Sequence, residues 1–262
     1  MPDKTDHFAA HFAPDFLIAS IGRSGSTLLS NWLTHPPEHI VLSEPVFFRL
    51  HTFQILRDQF TSFGIDISDD EWLAEDADCH ARFCRLFAPR LAGRRWGFKE
   101  VQAEHYNRVM DEITPPRVVL TVRRIDDIAA SYLEKHRRQA IESFFTPGWV
   151  KHYCVTETLS LLTFIERLRT QGVPFHVVRY EEFIASAEAQ QRLSNFLDWP
   201  GGGRTDRHLR QMNRTFELER HGLGINSTAQ ALSARGLTDA DKQLIGEVSE
   251  QCAAYHRCFG YA

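Results

Sequence analysis

Residues 16–33 leave this chain few architectures to choose from. They read Phe-Leu-Ile-Ala-Ser-Ile-Gly-Arg-Ser-Gly-Ser-Thr-Leu-Leu-Ser-Asn-Trp-Leu. The apolar run from Phe16 to Ile21 reads as a buried strand that breaks at Gly22, and a helical pattern opens near Ser26 with Leu28, Leu29, Trp32 and Leu33 on one face. Between them lies the loop Gly22-Arg23-Ser24-Gly25-Ser26-Thr27. A strand, a glycine-rich turn and a helix N-terminus in succession make an anion cradle, because backbone N–H groups converge there and the helix dipole favours negative charge. Glycine lets the backbone approach closely. The Ser and Thr hydroxyls add donors, and Arg23 adds a charge that does not titrate away. The plain alternative is an ordinary βα turn built from small residues. The loop is not the phosphate loop of an ATPase, since no Lys precedes Ser26 or Thr27, and it lacks the Gly-x-Gly-x-x-Gly spacing of dinucleotide binders.

Pro36-Pro37 stops the first helix, and residues 39–43 read as a second strand running into Glu44-Pro45-Val46-Phe47-Phe48. In a parallel sheet the end of a second strand can lie beside the first loop, which makes Glu44 a candidate active-site carboxylate. Its competing reading is a surface turn residue before proline. Residues 46–92 look helical and aromatic, with Ser68 as an N-cap, and read as an insertion over the site. Aromatics at helical spacing otherwise form core. Residues 94–100 form a short strand whose Lys99 and Glu100 reach the C-terminal edge of the sheet, where ligands bind in such folds, unless they are a solvated strand end.

Residues 117–122 are β-branched enough for a central strand. Arg123 stands at its end, Asp126 and Asp127 open a helix, and Ser131 follows eight residues after Arg123, so that the two side chains can share one phosphate. The basic run Lys135–Arg138 reads as a solvated helix face. A long amphipathic helix over 149–169, a strand over 175–179 leading into Tyr180, and a helix over 187–197 come next. Thr238 opens a last helix that ends near Cys258 and Gly260. Strands alternating with helices give a parallel sheet covered on both faces, and no boundary divides the chain.

Several classes are disfavoured. A net charge of −4 gives no global basic field for nucleic acid. The five cysteines are scattered without a Cys-x-x-Cys pair, which argues against disulfides or zinc and for a reducing compartment, so a cytoplasmic location is expected. The thirteen histidines show no metal spacing, because Pro36-Pro37 separates His35 from His39. No targeting segment or membrane span is read from the chain.

Taken together these motifs resemble the sulfotransferases that use 3′-phosphoadenosine 5′-phosphosulfate. The family's first loop, Pro-Lys/Arg-Ser-Gly-Thr/Ser-Thr, is similar to residues 22–27, and its Arg-to-Ser spacing of eight is similar to Arg123 and Ser131. Residues 178–183, Val-Arg-Tyr-Glu-Glu-Phe, look like its Tyr-Glu-Asp-Leu segment, and Asn226-Ser227, Leu237-Thr238 and residues 259–261 look like its C-terminus. The resemblance implies a P-loop-like α/β fold in one domain over 1–262. Residues 16–45 would hold the 5′-phosphosulfate loop and the base, and 46–92 an acceptor-side helical insertion. Residues 117–135 would hold the 3′-phosphate site, and 226–262 a C-terminal helical region. It implies donor binding by Gly22, Arg23, Ser24, Gly25, Ser26, Thr27, Arg123, Ser131, Tyr180, Asn226 and Ser227, with no metal. It also implies transfer to a hydroxyl of a carbohydrate or small metabolite, in which Glu44, Arg23 and Lys99 are catalytic. Two departures matter. Leu28 stands where many cytosolic members have Trp, and Val101 stands where they have a catalytic His two residues after the Lys. A second branch has a Glu in a Glu-Pro-x-x-Phe context, which Ser43-Glu44-Pro45-Val46-Phe47-Phe48 resembles, and this makes Glu44 the preferred base. The rivals are a small-molecule kinase, which lacks its loop Lys and Mg²⁺ ligands here, and a nucleotide-binding protein of the same fold without turnover.

Overall fold

Five short segments become strands: β1 (Phe16–Ser20), β2 (His39–Ser43), β3 (Arg95–Glu100), β4 (Val118–Val122) and β5 (Phe175–Arg179). The computed structural model describes residues 13–46, 53–139, 145–202 and 236–261. The strands form one parallel sheet in the order β2-β3-β1-β4-β5. Successive side chains of a strand face opposite ways, and here both faces are buried. Leu17, Ala19, Leu42, Leu120 and Val122 enter one core, whereas Phe16, Ile18, Val41 and Val119 enter another. That two-sided burial explains why β1 and β4 read as unbroken apolar runs.

Twelve helices are seen among the described residues: α1 (Ser26–Leu33), α2 (Phe53–Ser62), α3 (Asp69–Leu73), α4 (Cys79–Leu86), α5 (Ala88–Leu91), α6 (Ala103–Glu112), α7 (Ile125–Gln139), α8 (Pro147–Thr170), α9 (Tyr180–Ala185), α10 (Ala187–Leu197), α11 (Asp239–Gln251) and α12 (Ala253–Phe259). Leu29 and Leu33 of α1, Phe183 of α9 and Leu193 and Leu197 of α10 cover the second core. Helices α2 and α4 to α8, with α11 and α12, contribute to the first. The start signals work as read: Ser68 and Thr238 each close a capping box, with Glu71 and Asp241. The last helix is interrupted at Cys252 and stops at Gly260 with φ +69°. Helix α6 carries no strong start signal, since Gln102 caps nothing with its side chain, and the sequence reading passes over it.

Among its described residues, the insertion between β2 and β3 is helical, as expected, and its Phe53, Phe60, Phe83 and Phe87 are core residues. Helix α2 also completes the sheet edge. Gln59 accepts a hydrogen bond from Ser43 N–H at 2.7 Å and donates one to Ser43 C=O at 2.8 Å. The buried amide thus replaces a missing strand partner for the last residue of β2. Strand order, which the sequence left open, places β3 between β1 and β2, so Glu44 reaches the first loop through Lys99 of β3. The ends of β1, β3, β4 and β5 bring the loop, Lys99, Arg123 and Tyr180 to one edge of the sheet. The chain crosses β1 from its β3 side to its β4 side there, a place where open α/β sheets bind ligands.

Candidate active site

The loop after β1 is held by side chains that leave no room for larger residues. Arg23 and Gly25 both adopt left-handed backbone, with φ of 70° and 90°. A Cβ on Gly22 would lie 2.2 Å from the Tyr132 hydroxyl, and one on Gly25 would lie 2.1 Å from the Tyr180 ring. Gly22 N–H donates to the Tyr153 hydroxyl at 3.0 Å. Helix α1 has Gly25 as its N-cap, no side-chain cap and no acidic residue in its first turn, so its N–H groups and dipole stay available to an anion. Ser24 Oγ and Arg123 Nε are buried at this place without a hydrogen-bond partner. Uncapped donors beside unpartnered buried polar atoms suit an anionic group such as a phosphate or sulfate. Gly25→Ala combines left-handed strain with a clash against a ring that cannot yield. It is expected to cost about 2–3 kcal/mol in chemical denaturation.

Arg23 links the two halves of the sheet edge. Its Nε donates to Ser131 Oγ at 2.9 Å, and its carbonyl accepts from Arg123 Nη1 at 3.4 Å. Arg123 and Ser131 therefore converge, as their spacing suggests, but through Arg23 rather than by facing each other alone. The Arg123 guanidinium stacks 4.6 Å over the Tyr180 ring, so Tyr180 supports both Gly25 and Arg123. The Tyr255 hydroxyl of α12 accepts from Arg123 N–H at 3.2 Å and donates to its C=O at 2.9 Å. Tyr255 thereby fixes the backbone at the strand end, a role that no local sequence pattern announces. Asn226 and Ser227 lie outside the described residues.

On the other side of β1, Lys99 is the connecting group. Its ammonium is fully buried and donates to Thr27 Oγ1 at 3.0 Å and to Glu44 Oε1 at 2.8 Å. Ser43 is in register with Lys99, and Glu44 N–H donates to Lys99 C=O at 2.8 Å, which extends the ladder by one residue. The Glu44 side chain is 38% exposed. Burial pushes its pKa up, but the charge and hydrogen bond of Lys99, with smaller pulls from His105 and Lys135, outweigh this and hold it below the ordinary value. Glu100, the next residue on β3, points the other way, as strand alternation requires. Its Oε1 accepts from Val46 N–H at 3.0 Å, and Oε2 lies 3.4 Å from His105 Nδ1. Burial raises the Glu100 pKa, against the pull of His105. Glu44 and Val46 have φ of 50° and 39°. Left-handed backbone at two such residues needs outside support, and the Glu100 carboxylate is one of its anchors.

Lys135 does not fit the solvated face read from its basic run. It is half-buried, and both Arg23 and Glu44 act on its charge. Ser131 lies four residues before it on α7, and that helical spacing is the one signal in the sequence that could have found it. Tyr132, Tyr153, Gln59 and His105 are further neighbours that the sequence did not single out.

No family model matches the chain, and no curated protein matches it by sequence. Solved structures do match. The sulfotransferase domain from the curacin biosynthetic pathway is similar over 96% of this chain and 99% of that one, with a TM-score of 0.58 at 13% identity. The chain has the sulfotransferase fold. Sulfotransferase STF1 from Mycobacterium tuberculosis H37Rv is also similar, over 95% of this chain and 80% of its own, with a TM-score of 0.51 at 16% identity. In this sulfotransferase fold the glycine-rich loop, Lys99 and Glu44 share one hydrogen-bonded chain. No helix among the described residues is long and apolar enough to cross a membrane.

Proposed function

We propose that this protein is a sulfotransferase, moving the sulfuryl group of 3′-phosphoadenosine 5′-phosphosulfate to a hydroxyl of a carbohydrate or small metabolite with Glu44 as general base. The observation that carries this reading is the chain Thr27–Lys99–Glu44, which joins a carboxylate with a lowered pKa to an uncapped helix N-terminus. The donor supplies the sulfuryl group: a bond forms from sulfur to the acceptor oxygen, the bond to the 5′-phosphate breaks, and the acceptor proton passes to Glu44. Glu44 is ionised at neutral pH and close enough to water to receive that proton. Negative charge grows on the departing 5′-phosphate, where the loop N–H groups, Ser24, Ser26, Thr27 and Arg23 are preorganised, and Lys99 serves both this charge and the base. Donors of this kind are each worth about 3 kcal/mol when deleted. Arg123, supported by Tyr180 and Tyr255, is assigned to the 3′-phosphate, with Ser131 holding Arg23 between the two sites. Helix α2, bonded to Ser43 beside Glu44, belongs to the acceptor side.

Calorimetric titration with adenosine 3′,5′-bisphosphate, AMP and ATP tests this. Micromolar binding that weakens about tenfold or more without the 3′-phosphate is expected, because a charge-assisted phosphate contact is worth about 1.5–3 kcal/mol. Arg123→Ala is expected to weaken the bisphosphate by a similar factor and to leave AMP nearly unchanged. Absence of bisphosphate binding, or preference for ATP with Mg²⁺, would overturn the reading.

A further inference from the structure

The cations around the loop are not equally matched. Lys99 has Glu44, and Arg23 and Arg123 frame the cradle. Lys135 stands apart. It is on the same face of α7 as Ser131, one turn farther along, and about 15 Å along the helix from Ile125 at the Arg123 end. Its Nζ rests 4.3 Å over the Phe145 ring. Among the described residues it has no hydrogen bond and no ion pair. A half-buried ammonium beside Arg23 without a counter-ion is unfavourable. Burial and Arg23 push its pKa down to about 8 against the pull of Glu44.

Beside this cation runs an aromatic wall. Phe145 packs on Tyr132 and Trp149 with ring centroids 5.4 and 5.0 Å apart, and Trp149 stacks on Tyr153 at 4.6 Å. Tyr132 and Tyr153 reach Gly22 at the wall's inner end. The wall therefore leads from the loop to Lys135, and Glu44 acts on the charge at its outer end. A hydroxyl compound whose reacting oxygen lies at Glu44 would have its body along this face.

We infer that Lys135 binds an anionic group of the acceptor, so that the acceptor is a hydroxyl compound bearing a carboxylate, phosphate or sulfate and lying against the Phe145–Trp149 face. This rests on the proposed sulfuryl transfer. The donor's own anions are already assigned to the loop and to Arg123, at the far end of α7. An arriving acceptor anion supplies the counter-charge that the described residues do not, and the apolar wall strengthens that pairing by excluding water.

The test uses protein saturated with adenosine 3′,5′-bisphosphate and titrated with matched pairs: glucuronate against glucose, glucose 6-phosphate against glucose, and 4-hydroxybenzoate against 4-hydroxybenzyl alcohol. At least one anionic member is expected to bind about tenfold more tightly than its neutral partner. Lys135→Met is expected to remove that preference and Lys135→Arg to keep it, with bisphosphate affinity within about twofold of wild type in both. The inference is overturned if no anionic member outbinds its partner, or if the preference survives Lys135→Met. It is equally overturned if Lys135→Met weakens the bisphosphate about tenfold, which would make Lys135 a donor-site residue. Failure of the wild-type protein to bind the bisphosphate at all would instead overturn the proposed reaction, and this inference with it.

Discussion

Glu44→Gln is expected to lower kcat for sulfuryl transfer by about 10³-fold, within the range usual for loss of a general base. Glutamine keeps the size of the side chain and a carbonyl oxygen for Lys99, but it takes up no proton. Bisphosphate affinity should hold within about threefold, because Glu44 touches the loop only through Lys99 and Thr27. Radiolabelled donor turnover measures the first quantity and calorimetry the second. A variant that still turns over within tenfold of wild type would remove Glu44 from the reaction. In the wild type, the depressed pKa of Glu44 places the acid limb of kcat below its ordinary value of 4.5. The rate should therefore be flat in pH from about 5 up to neutrality. By the same sign, the Lys99–Glu44 pair contributes to stability above pH 4.5 and loses that contribution as pH falls through the depressed value.

What the sequence made legible follows how local each signal is. The loop from Gly22 to Thr27 is contiguous, so its strand, turn and helix start could be read directly, and β1 and β4 emerged most clearly because two-sided burial makes them continuous apolar runs. The Arg123–Ser131 spacing was legible because it runs from a strand end less than two turns into the helix that follows it. Their common partner was not, since Arg23 lies 100 positions before Arg123 and nothing local connects them. Glu44 could be nominated but not placed. Its link to the loop depends on β3 entering the sheet between β1 and β2, and strand order is a property of long-range pairing. Lys135 was hidden in a basic run, because a charged helix segment looks alike whether it faces water or an aromatic wall. Tyr255 is more remote still: its bonds to Arg123 cross 132 positions. Local propensity thus reveals the elements and the anion loop, and packing decides which charges meet.

Lys99→Met should act on the base and on the departing charge at once. At neutral pH kcat is expected to fall by about 10²–10³-fold, the usual effect of losing one preorganised donor. The pH profile should change as well. With Lys99 gone, burial still pushes the Glu44 pKa up, and only His105 and Lys135 oppose it. The acid limb of kcat should therefore move to higher pH, whereas a purely structural loss would lower the plateau without moving the limb. Stability gives an independent reading of the same pair. Glu44→Gln alone leaves a fully buried ammonium without its counter-ion. Breaking a buried pair costs about 3–5 kcal/mol. Because the carboxylate side is partly open to water, about 1–3 kcal/mol is expected here. In the double variant, Lys99→Met removes the stranded charge, and part of that loss should return. Its kcat should fall little below that of Glu44→Gln, because residues acting as one unit are not additive. Denaturant midpoints and turnover for the four proteins of this cycle measure both effects. Strictly additive losses in both would show that Lys99 and Glu44, although 2.8 Å apart, work independently.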